Sequence, residues 1–114
     1  MLVVQVLIPA QELKQRLAQW AQTSTQYPYF KGSSQDLASW FATVERACDD
    51  VEVPDVQYAD AAIALIQGEL ADVMEERKTK FLETSGHPYW SWEDFKNDLT
   101  RVVKEADRST FLLV

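Results

Sequence analysis

The sequence has little of what usually builds chemistry or interrupts helices. It holds one cysteine, one histidine, three glycines and four prolines in 114 residues. A single thiol, Cys48, cannot form an internal disulfide, so a reducing, cytoplasmic setting is expected. Cys48 and His87 together cannot complete a metal site of about four protein ligands, and no cofactor motif is present. A basic surplus is also missing: 11 Lys and Arg face 18 Asp and Glu, for a net charge of −7. That argues against nonspecific nucleic-acid or anionic-membrane binding, which needs a positive surface. The apolar start MLVVQVLIPA is short and has no basic leader. No run of about 18 apolar residues follows it, so neither a secretory signal nor a membrane span is expected.

What is present is an ordinary globular composition, 46% hydrophobic and 25% charged, at a length typical of one domain. The expected class is all-α: about five helices over residues 10–106, an apolar arm over 1–9 and an apolar tail over 107–114. LVVQVLI (2–8) is dense in β-branched residues and reads as extended. Pro9 then suits the first turn of a helix. In that helix Leu13, Leu17 and Trp20 follow i, i+4, i+7. The loop TSTQYPYFKGSS carries three aromatics. Ser33 or Ser34 is the expected cap of the next helix, about 35–49, with Leu37, Trp40, Phe41, Val44 and Cys48 on one side. Cys48 falls in that apolar register and is expected in the core.

Pro54 and Asp55 start a third helix with the stripe Val56, Ala59, Ala62, Ile63 and Ile66, interrupted or ended by Gly68. A fourth, about 69–83, carries Leu70, Val73, Met74, Phe81 and Leu82, and its EERKTK stretch reads as a solvated face. A fifth, about 92–106, carries Phe95, Leu99, Val102 and Ala106. TFLLV (110–114) is again apolar and β-prone.

The stretch HPYWSWEDF (87–95) is the densest aromatic run and holds the only histidine. Taking Ser91 as N-cap makes Asp94 the N3 residue of an approximate capping box. It also places Trp90 and Phe95 as a hydrophobic staple across the cap. Glu93 and Asp94 then lie in the first turn, where the helix dipole favours them. A catalytic reading fits less well. The two acids point about 100° apart on a helix, and His87 has no nucleophile near it in sequence. Stacking of sugars or bases is also disfavoured, because no basic residues interleave with the rings.

The order of signals resembles the retrotransposon Gag domain of the Ty3/Gypsy type, the N-terminal lobe of a retroviral-like capsid protein. The resemblance rests on Phe30-Lys31-Gly32, then Trp40-Phe41, then Ala64-Leu65-Ile66-Gln67-Gly68, then Ser91-Trp92-Glu93-Asp94-Phe95 with Leu99. It spans about residues 30–105. Where the family often has a tryptophan after the glycine, this chain has Val73-Met74. The chain stops where a C-terminal capsid lobe would begin. It carries no zinc knuckle and no aspartic-protease triplet, so RNA packaging and polyprotein processing do not carry over. The resemblance implies a helical, non-enzymatic lobe, domesticated or still in a retroelement, that assembles with copies of itself. In relatives of the neuronal Arc type the lobe instead binds short peptides in an apolar groove, which here would lie beside Phe30, Trp40 and Phe41 and would take short apolar peptides.

The two apolar ends stand outside a five-helix core. An exposed apolar strand invites pairing. The arms can pair with each other, pair with a second copy, or fill the groove. Leu2, Val3, Val4, Val6, Leu7 and Ile8 are the expected self-association residues, giving a dimer or higher oligomer.

Overall fold

The computed structural model describes residues 7–25 and 27–112, with side chains described as far as Ala106. The all-α reading holds. The helices are α1 (Ala10–Thr23), α2 (Leu37–Asp50), α3 (Tyr58–Ala64), α4 (Glu69–Ser85) and α5 (Trp92–Leu112), with 3-10 turns at Ser34–Asp36 and Asp55–Gln57 leading into α2 and α3. No helix among the described residues is long and apolar enough to cross a membrane.

The short α3 is the centre. Ala59, Ala61, Ala62 and Ile63 are all buried, so it is covered on nearly every side, as an all-round apolar helix must be. It packs against α1, α2, α4 and α5, and its alanines let those neighbours approach closely. Around it stand Leu13 and Leu17 of α1, Leu37, Trp40, Val44 and Cys48 of α2, Met74 of α4, and Phe95, Leu99 and Val103 of α5.

Several expectations are corrected in detail. The third helix was expected to run on to Gly68, but it ends at Ala64. Leu65 and Ile66 leave the helix where the backbone groups flanking Ile66, the Leu65 carbonyl and the Gln67 N–H, serve Phe30. Phe30 N–H donates to the Leu65 carbonyl (2.8 Å) and Gln67 N–H to the Phe30 carbonyl (3.1 Å), a parallel bridge between Phe30 and Ile66. Val73 is exposed while Met74 is fully buried. Adjacent helical positions diverge by about 100°, and Met74 takes the inward direction between Leu70 and Phe81. On α5 the buried row is Phe95, Leu99 and Val103, while Ala106 is exposed. The i, i+4, i+8 row wins over Val102 and Ala106.

The EERKTK stretch is only partly a solvated face. Arg77 reaches Asp98 of α5 through two bonds of 2.5 and 2.6 Å, and Lys78 pairs with Asp60 of α3, so two of its cations tie helices together. The C-terminal tail, expected as extended, is helical through Leu112. Nothing between Trp92 and Leu112 is glycine or proline, and extending an existing helix gains one hydrogen bond per residue fixed, which outweighs local β preference.

The helix starts divide. At α5 the Asp94 N–H donates to Ser91 Oγ (3.1 Å), and Trp90 meets Phe95 edge to face at 5.4 Å between ring centres, so cap and staple are both present. At the start of α2 the expected serine cap does not form. Ser33 precedes the 3-10 turn without a side-chain bond, and neither does Asp36, at the cap position of α2 itself, make one.

Candidate functional site

The run Tyr27–Lys31 lies alongside α2, tied down at three points. Trp40 Nε1–H donates to the Pro28 carbonyl (2.9 Å), Phe30 stacks on Trp40 at 4.8 Å, and the backbone of Phe30 is bridged to Ile66. Tyr27 and Tyr29 meet edge to face at 5.6 Å, and Lys31 Nζ sits 4.8 Å above the Tyr27 ring. Between this run and α2 opens a cavity of about 640 Å³. Phe30 and Trp40 contribute to its lining from buried positions. Tyr27, Tyr29 and Lys31 line one wall, and Ser39, Thr43 and Arg46 the other.

Of the three residues expected at a groove, the structure therefore brings Phe30 and Trp40 to one cavity. Phe41 goes elsewhere. It is half-buried and meets Trp92 edge to face at 5.6 Å, and Tyr58 meets the same indole at 5.9 Å. The sequence reading missed Tyr29, Lys31 and the polar wall. Ser39, Thr43 and Arg46 do follow the i, i+4, i+7 spacing of one helix face, which marks a shared direction without saying what faces it.

The apolar arm is divided. Leu2, Val3, Val4 and Val6 lie outside the described residues. Leu7 is exposed, and Ile8 is buried. The backbone of Ile8 is gripped by one side chain: its N–H donates to Gln57 Oε1 and its carbonyl accepts from Gln57 Nε2, each at 2.8 Å. Gln57, itself buried, thus supplies the donor and acceptor that a neighbouring strand would supply, and Ile8 is anchored to its own domain. A glutamine beside an apolar stripe gave no sequence signal for this.

The remaining reactive groups are accounted for structurally. Cys48 is fully buried. Burial first, then the charges of Glu45 and Asp55, push its thiol up to about 12, far from the thiolate a nucleophile needs. His87 is exposed and stacks on Phe81 at 5.8 Å. No group of three or more metal-ligating side chains gathers among the described residues. No family model, curated protein or solved structure matches the chain.

Proposed function

We propose that this chain is a non-enzymatic, capsid-like helical domain of Gag ancestry whose business is association with copies of itself. The observation that supports the reading is how its signature residues are used. The four pieces of the Gag-like pattern meet in space: Phe30 bridges Ile66 and stacks on Trp40, Trp40 meets Phe41, Phe41 meets Trp92, and Trp92 stacks on Phe95. A pattern spread along the sequence that converges on one continuous set of contacts is what a fold signature should be. The single buried thiol fits a reducing, cytoplasmic setting.

Size-exclusion chromatography with light scattering across a concentration series tests the reading. Mass should rise with concentration, and a strict monomer at high micromolar protein overturns it. Deleting residues 1–6, which keeps Ile8 and its bonds to Gln57, measures the part played by the apolar arm.

A second reading is a peptide-binding module, favoured by the cavity beside Tyr27–Lys31. In an extended run alternate peptide groups face opposite sides. With Phe30 turned toward Ile66, Tyr29 and Lys31 offer theirs outward, where an added peptide strand would bond. Saturable binding of short apolar peptides to the monomer, lost in Tyr29→Ala with unchanged unfolding, is the expected result for this reading.

A further inference from the structure

A second cavity, of about 450 Å³, lies between α4 and α5. Phe81 and Trp90 give it an apolar wall, and Arg77, Lys80 and Arg101 surround them with positive charge. Arg77 is engaged by Asp98. Lys80 is well exposed and only loosely paired with Glu76, at 3.7 Å, and Arg101 is exposed with no ion pair among the described residues. Asp94 and Asp98 are the carboxylates of the lining. With Arg77 neutralised by Asp98 and acted on by Glu105, the free positive charge of this groove comes from Arg101, unpaired among the described residues, and the loosely held Lys80, in a chain of net charge −7.

The opposite character appears where α2 ends. Glu45, Asp49, Asp50, Glu52 and Asp55 are all exposed, and Arg46 is the only cation within that span. None of the five has an ion-pair partner among the described residues. Asp50 alone has a side-chain bond, from Trp20 Nε1–H. After burial and the neighbouring Cys48, the charges of Asp55, Asp49 and Glu45 also help raise the phenol of Tyr58.

We infer that the α4–α5 groove receives the acidic α2–α3 turn of a second copy of this chain. The two surfaces share no residue, so the contact is head to tail. It builds a ring or an open filament and not a closed twofold dimer. Like-charged copies at −7 repel at long range, and a complementary pair of patches selects the one orientation in which they meet. The aromatic wall adds apolar burial that two charged patches alone lack. The inference rests on the self-association reading and names the surfaces that carry it.

Charge inversion tests it on the full chain. Lys80→Glu with Arg101→Glu reverses the groove. Glu45→Lys with Asp49→Lys reverses the turn, at two exposed positions on α2. Each double variant alone should associate more weakly by about tenfold or more, since like charges then face each other. Mixing the two should restore association, because each pairs with the other. Circular dichroism melting checks folding, and the milder Arg101→Gln and Asp49→Asn replace any variant that melts low, with smaller losses of the same sign. A wild-type monomer overturns this inference together with the self-association reading. A wild-type oligomer that both double variants leave unchanged overturns the inference alone. So does a loss that mixing fails to rescue.

Discussion

The helices α2 and α5 are preceded by the same pattern, a serine followed three positions later by an aspartate: Ser33 to Asp36 and Ser91 to Asp94. At α5 the aspartate N–H donates to the serine hydroxyl oxygen. At α2 the equivalent N–H donates to the Ser33 backbone carbonyl instead, at 3.1 Å, and the chain enters through a 3-10 turn. The residue before each serine explains the difference. Trp90 is buried against Phe95 and fixes the angle at which the chain enters α5. Gly32 has no side chain to staple and takes φ +109, a region that favours glycine. A capping pattern thus permits a cap, and the apolar neighbour decides whether the backbone is held in position to use it.

The most severe way to break the α5 start is to remove the staple. Phe95→Ala empties a fully buried site that touches both Trp90 and Trp92 and should cost about 3–5 kcal/mol in denaturant unfolding. At the other start the corresponding determinant is the backbone of Gly32. A methyl added there meets nothing within 4 Å, so the cost of Gly32→Ala is conformational, about 1–3 kcal/mol. A neutral Gly32→Ala would mean that the entry into α2 does not depend on the left-handed region.

These two sites also mark how far the sequence could be read. The rows Leu13 and Leu17, and Leu37, Trp40, Val44 and Cys48, are periodic and buried as periodicity demands. The α5 start was legible because cap and staple lie within a few residues of each other. The early end of α3 was not legible, because its cause is Phe30, far away in the chain. The grip of Gln57 on Ile8 spans 49 positions, and Arg77 finds Asp98 across 21. The candidate groove was half legible. Phe30 and Trp40 come together as expected, but Phe41 turns to Trp92, because neighbouring residues on a helix cannot share one direction. The tail differs from its local β preference for a related reason: a helix already running into it carries on through Leu112.

The finer comparison concerns the serines themselves. Ser91→Ala removes the oxygen that accepts from Asp94 N–H and should lower stability by about 1 kcal/mol, the usual worth of an N-cap. The staple remains in that variant, so the loss should be well below that of Phe95→Ala, and a loss as large would mean that cap and staple form only together. Ser33→Ala should change stability by less than about 0.5 kcal/mol, as at an exposed site with no special bond. The Asp36 N–H keeps its backbone acceptor when the hydroxyl is gone. Both variants belong in one denaturant series, since the loss at Ser91 shows what the method resolves. If Ser33→Ala costs as much as Ser91→Ala, then Ser33 caps α2 in solution and Gly32 does not set that entry. If Ser33→Ala is silent while Ser91→Ala is not, two copies of one pattern differ because tryptophan precedes one and glycine the other. The exchange Gly32→Trp would then fail to create a cap, since position 32 needs the left-handed backbone that an indole-bearing residue resists.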